Sequence, residues 1–361
     1  MNEKIIFLGD FLYNYKGYKE DIKKIGEWMK KNNYKVILNL EAPLKSSKAL
    51  SKWINLYQDE NIISVLKTLN VIAVNLGNNH ILDWSEEGLT NLIMELKKNN
   101  IQYFGAGLNL KEANEPVIID FGKKKIGLLA YGWKEEMCEY ASNSKAGVSP
   151  LKESLIIDSV SFLKKKVDYV ILSFHWGYEY ELYPLPIHRK LVHKLIDKGL
   201  ADCIIGHHPH VIQAKEIYKG KSIYYSLGNF YFGDRRDYFE ELKNEIAKEY
   251  SKYGLGIILD AKLNIKETFF RYSYEEKKTL LHDGYEMLDI SEITLLDYNN
   301  FFKEKRTSKR KPSLYSYKKG EMIIGEVKLK INFVKEQLLW KTIGILKKLK
   351  LTNIIKKIIG R

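Results

Sequence analysis

Short apolar runs rich in β-branched and aromatic residues alternate with amphipathic stretches through residue 233 of the chain. Apolar runs that end in glycine or polar clusters predict strands, and apolar residues at helical spacing predict helices. We expect strands at residues 4–8, 35–40, 71–76, 125–131, 168–174, 202–205 and 222–227. We expect helices at residues 18–31, 61–69, 85–98, 152–165 and 187–198. This alternation is typical of an α/β domain.

The pattern changes in the last third of the chain. Two strand-like runs at residues 254–259 and 266–272, separated by a polar turn, predict a hairpin that closes the domain. Beyond it the periodicity weakens, and residues 305–311 form a basic run that is typical of a linker. The predicted organisation is a domain over residues 1–285, a linker or irregular extension over residues 286–332, and a helix over residues 333–361.

The predicted C-terminal helix, residues 333–361, is basic and amphipathic. From Gln337 onward it has seven basic residues and no acidic ones. A helix of this kind lies on an anionic membrane surface, where each basic residue adds about 1 kcal/mol of binding free energy. The alternative is a helix that packs on the domain or on a partner and leaves its lysines in water. The sequence leaves both interpretations open.

The formal net charge of +14 suggests a nucleic acid, an anionic membrane surface or an acidic polymer as partner. A lysine-rich composition explains the charge equally well over the first 290 residues. Nucleic acid is disfavoured because the basic residues are dispersed and no nucleic-acid motif with interleaved aromatic residues occurs.

Three features indicate an intracellular protein. The apolar run at the N-terminus is too short for a secretion signal, and no apolar stretch reaches the roughly 18 residues of a membrane span. Two cysteines, Cys138 and Cys203, do not make a disulfide framework. We therefore expect a cytoplasmic protein, peripheral at the inner face of the membrane if residues 333–361 bind lipid.

Five of the predicted strands are followed by side chains that bind metals. In an open α/β sheet such positions converge, because ligands bind outside the carboxyl ends of the strands. Taken singly, each acid or amide is also an ordinary turn or capping residue, but three histidines in the four residues 207–210 are hard to explain by packing. The expected metal ligands are Asp10, Glu41, Asn79, His175, His208 and His210. This oxygen and nitrogen set suits manganese, iron or zinc, and the absence of a thiolate disfavours a closed structural zinc site.

Seven motifs follow one another along the chain: Gly9-Asp10, Asn39-Leu40-Glu41, Asn78-Asn79-His80 with Asp83 and Gly88, Gly105-Ala106-Gly107, His175-Trp176-Gly177 with Glu179-Tyr180, Gly206 with His208-Pro209-His210, and Ser226-Leu227-Gly228-Asn229-Phe230. Their order resembles the capsule synthesis protein CapA family, which is itself similar to the calcineurin-like metallophosphoesterases. The resemblance covers residues 4–272 and leaves out the basic tail. It implies a metallophosphoesterase-like layered α/β sandwich with the metal site at the carboxyl ends of the strands.

The resemblance also implies roles for the residues. Asp10 and His210 would serve a first cation, which we call the first site, while Glu41 would bridge to a second cation. The second cation would be held by Asn79, His175 and His208, and His80 would act as the acid. The phosphoesterases have a histidine two residues after the first aspartate, where this chain has Leu12, and they have an aspartate at the position of Glu41. The first site is therefore expected to be the weaker one.

Four further residues are candidates around the site. Asp83 and Glu179 are expected to accept hydrogen bonds from histidines or to be further ligands, the alternatives being a helix cap and a solvated charge. Ser226 and Asn229 are expected to contact substrate, the alternative being a tight turn. Three residues of the predicted helix after Pro186 are interpreted as helix-surface or packing residues: His188, Arg189 and His193.

Two functions from different classes follow. The first is a divalent-metal-dependent hydrolase of capsule or exopolymer biosynthesis, polyglutamate or polysaccharide, that cleaves a phosphoester or a polymer amide bond with a metal-activated water. The second is a non-catalytic metal-binding component of a membrane-associated assembly or export complex for the capsule polymer. The expected partners are the polymer itself and other capsule-synthesis proteins.

Overall fold

The computed structural model describes residues 3–14, 20–50, 52, 55–232, 245–273 and 278–307. The strands of the described residues are β1 Lys4–Leu12, β2 Tyr34–Leu40, β3 Val71–Asn75, β4 Gln102–Phe104, β5 Ala106–Gly107, β6 Val117–Phe121, β7 Lys124–Gly132, β8 Gly147–Val148, β9 Tyr169–His175, β10 Cys203–His207, β11 Lys215–Tyr218, β12 Lys221–Tyr224, β13 Asn229–Phe232, β14 Tyr253–Leu259, β15 Ile265–Ser273 and β16 Lys278–His282. Their helices are α1 Glu20–Lys31, α2 Ile62–Thr68, α3 Ser85–Lys98, α4 Leu110–Ala113, α5 Glu153–Leu163, α6 Pro186–Asp197, α7 Glu245–Tyr250 and α8 Leu295–Lys305, with a 3-10 helix at Lys134–Glu136.

The strands form two main sheets. Sheet one has the order β16-β15-β14-β1-β2-β3-β4, and β13 pairs with the end of β1. Its central strands β1 to β4 are parallel, whereas β14, β15 and β16 run antiparallel. Sheet two has the order β11-β12-β10-β9-β7-β6, with β12, β10, β9 and β7 parallel. Strands β5 and β8 make a separate antiparallel pair.

The two sheets pack face to face, and helices cover their outer faces. Alternate residues of β1 show this arrangement, because successive side chains of a strand point to opposite faces. Ile5 and Phe7 lie in the core shared with sheet two, together with Ile171 and Ile205. Ile6, from the other face of β1, packs in a separate core with residues of α1, α2 and α3. The predicted layered α/β sandwich is confirmed.

The central strands are the ones that the sequence predicts well. Their apolar runs are nearly continuous because both faces are buried, as expected for parallel strands between layers. The structure adds elements that the sequence analysis did not predict: β4, β5, β6, β8, β11, β13 and β16 among the strands, and α4, α7 and α8 among the helices.

One expectation for the C-terminal extension is wrong. Residues 295–305, expected to be part of a linker, form α8, whose Tyr298 and Phe302 are buried in the core behind sheet two. The rest of that extension from residue 308, and the predicted helix at residues 333–361, lie outside the described residues. In the part of the chain that the structure describes, no helix is long and apolar enough to span a membrane.

Candidate metal centre

The carboxyl ends of parallel strands from both sheets meet at one edge of the sandwich. Asp10 lies near the end of β1, Glu41 directly follows β2, and His175 ends β9. All three are fully buried, and one ligand atom from each lies within 4.8 Å of the others. Residues separated by up to 165 positions in the chain are thus brought into one cluster, as the order of the strands predicts.

Two glycines allow the strands to approach each other at this edge. A Cβ atom on Gly9 would lie 2.0 Å from the carbonyl oxygen of Gly228, and one on Gly206 would lie 1.8 Å from that of Tyr225. Both distances are shorter than any van der Waals contact. Glycine is therefore required before Asp10 and before the histidine cluster, because the segment that follows β12 crosses between the sheets there.

The Asp10 carboxylate is held from several sides. Asn39 Nδ2 donates to its Oδ1 at 2.8 Å, and the backbone N–H of His208 donates to its Oδ2 at 3.2 Å. Two imidazole nitrogens also face it: His207 Nδ1 at 3.3 Å from Oδ1 and His210 Nδ1 at 3.4 Å from Oδ2. Asp10 is therefore fixed by neighbours from β2, from the end of β10 and from the loop that follows β10.

Glu41 and Asn79 approach His175. His175 Nε2 lies 3.7 Å from Glu41 Oε1 and 3.0 Å from Asn79 Oδ1. Gln58 Nε2 donates to the Glu41 carbonyl oxygen at 2.6 Å, which anchors the loop after β2. Glu41, Asn79 and His175 are three of the four side chains that the resemblance assigns to the second cation and the bridge, the fourth being His208.

The loop after β10 presents two imidazoles in an uncommon backbone conformation. His208 has a φ of 97° and His210 a φ of 57°, on either side of Pro209. Left-handed conformations cost residues other than glycine about 1 kcal/mol or more and are concentrated at functional sites. The imidazole rings of His175 and His208 are 4.9 Å apart.

Each of these imidazoles has a partner that fixes its orientation. His208 Nε2 donates to Glu136 Oε2 at 3.1 Å. His210 Nδ1 donates to Asn229 Oδ1 at 2.9 Å, and Asn229 Nδ2 donates to the carbonyl oxygens of His210 and Ser251. Asn229 thus contacts a predicted ligand directly. Carboxylate or amide oxygens opposite a ligating histidine are common around protein metal sites.

His80 lies beside this cluster and is more accessible, with 18% of its side chain exposed. Its Nδ1 donates to Asp83 Oδ2 at 2.7 Å, and Lys52 Nζ donates to Asp83 Oδ1 at 2.6 Å and to the Asn79 carbonyl oxygen at 2.8 Å. Asp83 is fully buried and accepts a further hydrogen bond from the backbone N–H of Leu56. Asp83 therefore accepts a hydrogen bond from a histidine, as predicted. The bond uses His80 Nδ1, so Asp83 does not engage His80 Nε2.

Ser226 and Glu179 are the two remaining candidates. Ser226 is fully buried, and its Oγ accepts from the Gly228 N–H at 3.2 Å, which is the turn arrangement given as the alternative. Glu179 is half-buried, and its charge acts on Glu41, His208 and His210.

The sequence analysis did not single out two residues that contact the cluster. Asn39 belongs to the Asn-Leu-Glu motif, but the motif by itself gives it no role. Glu136 comes from the 3-10 helix and has no local sequence signal, since its contact with His208 joins residues 72 positions apart.

Burial and charge shift the protonation of the cluster. Burial raises the pKa of Glu41 well above its ordinary value, and the carboxylates of Asp10, Glu179 and Asp83 add to the shift. Burial lowers the pKa of His175 well below its ordinary value, with the nearby imidazoles contributing. Burial alone would raise the pKa of Asp10, but His207 and His210 outweigh burial, so the pKa of Asp10 is lowered. Burial alone would lower the pKa of His208, but Glu136 outweighs burial, so the pKa of His208 is raised.

The cluster fits a divalent cation. Within the described residues, Glu41 Oε2 and His208 Nδ1 are buried atoms without a hydrogen-bond partner. Neither atom is engaged by the described residues, so both are available to a cation. The donor set of carboxylate, amide and imidazole groups suits manganese, iron or zinc.

The fold and this site define a layered α/β protein with a buried, metal-competent cluster of acids and histidines at the carboxyl edge of its sheets. Residues 4–234 match the family described as bacterial capsule synthesis protein PGA_cap. The chain belongs to this family, as the order of its motifs predicted.

Curated relatives agree. The chain is 34% identical over 198 residues to the "PGA biosynthesis protein CapA" of Bacillus subtilis, covering 54% of this chain and 52% of that protein. It is 31% identical over 219 residues to the "Capsule biosynthesis protein CapA" of Bacillus anthracis, covering 58% and 53%. The chain spans about half the length of these relatives.

Solved structures with similar chain paths include a phosphatase from Mycoplasma pneumoniae and the calcineurin-like phosphoesterase YfkN from Bacillus subtilis. The first has a TM-score of 0.44 and 16% identity and covers 78% of this chain and 91% of that one. The second has a TM-score of 0.39 and 14% identity and covers 78% and 88%.

Proposed function

We propose that this protein is a divalent-metal-dependent hydrolase of capsule or exopolymer biosynthesis. The observation that supports this proposal best is the buried cluster of Asp10, Glu41 and His175, whose ligand atoms lie within 4.8 Å of one another. Within the described residues, Glu41 Oε2 has no hydrogen-bond partner, which leaves this oxygen available to a cation. The proposed ligands are Asp10, Glu41, Asn79, His175, His208 and His210.

The chemistry that bound divalent cations supply is the activation of a water molecule and the polarisation of the bond to be cleaved. The protein's own residues do the rest. In its doubly protonated form, His80 donates the Nδ1 hydrogen to Asp83, so the hydrogen on Nε2 is the one left to protonate the leaving group. Lys52 and the Leu56 N–H hold Asp83 in place, which fixes the orientation of the His80 ring.

The assignment to capsule or exopolymer biosynthesis is supported by the family, whose curated relatives are named for capsule or PGA biosynthesis. We propose that the substrate is a capsule polymer or a phosphoester precursor of one, and that the scissile bond is a phosphoester or a polymer amide. A cytoplasmic location at the inner face of the membrane, with residues 333–361 as the contact, is part of the same proposal.

The test compares the full-length wild type with His80→Gln, and uses His282→Gln, at a half-buried histidine of β16, as the matched control. Metal content is measured by elemental analysis after dialysis against manganese, and turnover is measured on a phosphodiester and on polyglutamate. We expect His80→Gln to keep the wild-type metal content and to lose turnover by about 10²- to 10⁴-fold.

The other outcomes separate the two functions. Wild-type protein that binds cations but cleaves neither substrate would support the non-catalytic assembly component instead. Wild-type protein that binds no divalent cation would overturn the metal site itself. Equal turnover for wild type and His80→Gln would remove His80 from the mechanism.

A further inference from the structure

Four polar residues form a row across sheet one at the metal centre. Asn229 of β13 is in register with Asp10 of β1, Asp10 is in register with Asn39 of β2, and Asn39 is in register with Asn75 of β3. All four residues are buried. Asp10 is a proposed ligand, Asn39 donates to it, and Asn229 accepts from a second proposed ligand. Asn75 is the member of the row whose contribution is still unexplained.

Asn39 holds two of the proposed ligands, and it can do so in one orientation of its amide group. Its Nδ2 donates to Asp10 Oδ1 at 2.8 Å and to Glu41 Oε1 at 3.4 Å. If the amide were turned over, its Oδ1 would face both carboxylates and could only repel them, because an amide oxygen has no hydrogen to donate. In the observed orientation, Asn39 Oδ1 is buried and has no hydrogen-bond partner within the described residues. A donor on that side would hold the amide in the orientation that the ligands need.

Asn75 offers such a donor. Its Oδ1 accepts from the Gly77 N–H at 2.8 Å, and this bond determines which end of the amide is Nδ2. Nδ2 is buried and also lacks a hydrogen-bond partner within the described residues. Leu38 and Val74, which precede the two asparagines, both lie in the core on the helix side of sheet one. Since successive side chains of a strand alternate, both asparagines face the space between the sheets, on strands about 4.8 Å apart.

We infer that Asn75 is a positioning residue of the metal centre. Its Nδ2 donates to one buried water molecule, and this water donates to Asn39 Oδ1, so that Asn39 keeps its Nδ2 toward Asp10 and Glu41. Buried waters in proteins typically bond polar groups that no protein atom satisfies, and they are costly to remove. Asn75 acts on the centre only through Asn39. The inference rests on the proposed function, because a positioning role requires that the centre binds a cation.

A double-mutant cycle on metal affinity tests this role. Full-length wild type, Asn75→Leu, Asn39→Leu and the double variant are titrated with Mn²⁺ by calorimetry, and their stability without metal is measured by urea unfolding. Leucine has nearly the shape of asparagine but forms no side-chain hydrogen bond. Replacing a residue that orients a ligand costs about 10- to 100-fold in metal affinity, so we expect this loss for Asn39→Leu and a loss of about 10-fold for Asn75→Leu. Because Asn75 acts through Asn39, the double variant should bind Mn²⁺ within about 3-fold of Asn39→Leu.

The matched control is Asn114→Leu. Asn114 is a half-buried asparagine that follows α4, and its side chain bonds Ser149 and Ser159. This variant should be less stable than the wild type and keep its affinity for Mn²⁺. The same result for Asn75→Leu would make Asn75 a purely structural residue and overturn the inference.

Two further outcomes of the cycle are decisive. If the losses of affinity from Asn75→Leu and Asn39→Leu multiply in the double variant, the two asparagines act independently and the inference is wrong. Wild type that binds no Mn²⁺ would overturn the proposed function and the inference with it, whereas the other failures leave the proposed function standing.

A measurement on the wild type covers the case in which Asn75→Leu does not fold. Protein with 15N-labelled asparagine is prepared, and magnetisation transfer from water to the side-chain NH₂ groups is recorded by NMR. We expect a nuclear Overhauser contact between a water molecule and the Nδ2 hydrogens of Asn75. Nδ2 hydrogens without such a contact would overturn the inference without any substitution.

Discussion

Among the described residues, two buried clusters combine acids and histidines, and they differ in how their charges are balanced. In the cluster around Glu216, Arg189 donates to both carboxylate oxygens, at 3.0 and 2.7 Å. His193 Nε2 lies 2.6 Å from Oε1, and the Tyr225 hydroxyl donates to Oε2 at 2.7 Å. Burial alone would raise the pKa of Glu216, but His193 and Arg189 outweigh it and its pKa is lowered.

The metal centre shows the opposite balance. Burial raises the pKa of Glu41, and the nearby carboxylates of Asp10, Glu179 and Asp83 raise it further. One of its oxygens is unpartnered within the described residues. The comparison teaches that residue types alone do not separate a structural cluster from a binding site. The distinction lies in whether the protein itself supplies the compensating charge.

The largest expected effect is on the balanced cluster. Arg189→Met should lower the free energy of unfolding by about 3–5 kcal/mol, because it removes the guanidinium that donates to both oxygens of the buried Glu216 carboxylate. Arg189 also donates to the carbonyl oxygens of Ile290 and Thr294, so the segment that leads into α8 loses its attachment. Urea unfolding of the full-length protein measures the effect.

The matched control for this prediction is Lys198→Met at the end of the same helix α6, where the side chain is exposed. A surface change of this kind should stay within about 0.5 kcal/mol. A loss below about 1 kcal/mol for Arg189→Met would show that the cluster is not what holds α8 on the domain.

The second prediction concerns His188, a buried histidine of α6 whose pKa is shifted by burial. His188 stacks on Trp176 at 4.4 Å and meets the edge of Trp133 at 4.7 Å, and its Nε2 has no hydrogen-bond partner within the described residues. Burial lowers its pKa from 6.5 to about 3. Below pH 6.5 the unfolded chain therefore binds a proton that the folded protein does not bind.

His188 therefore makes the folded protein less stable as the pH falls. His188 has no effect on stability above pH 6.5, and between about pH 6.5 and pH 3 it lowers the free energy of unfolding by about 1.4 kcal/mol per pH unit. Between pH 7.5 and pH 4.5 the wild type should lose about 2.7 kcal/mol more than His188→Phe. Urea unfolding at both pH values with EDTA measures the difference. The control His282→Phe should behave as wild type, and parallel losses in wild type and His188→Phe would refute the assignment.

The sequence predicted the central strands and the convergence of their ends for a physical reason. Strands buried on both faces require long apolar runs, and metal-binding side chains directly after such runs must share one edge of the sheet. Short edge strands such as β4 and β6 carry little of this signal.

What the sequence could not predict depends on tertiary contacts. In α8, Leu296 is 88% exposed while Tyr298 is buried, so the leucines do not mark the buried face. The pairing of Glu136 with His208 and the charge balance around Glu216 involve residues from separate elements. Local periodicity contains no information on such contacts.

The smallest expected effect is the one that tests the comparison most directly. Without metal, Glu41→Gln should change the free energy of unfolding by less than about 1 kcal/mol, because it removes a buried acid that has no compensating charge and keeps its shape. Manganese at 100 times its dissociation constant should stabilise the wild type by about 2.7 kcal/mol, and Glu41→Gln should lose most of this gain. Urea unfolding with EDTA and with manganese measures both values.

The matched control is Glu216→Gln. It should lower the free energy of unfolding without metal, because it removes the acid that Arg189 requires, and it should leave the response to manganese intact. If Glu41→Gln without metal were instead as unstable as Glu216→Gln, Glu41 would be a structural acid, and the contrast between the two clusters would not hold.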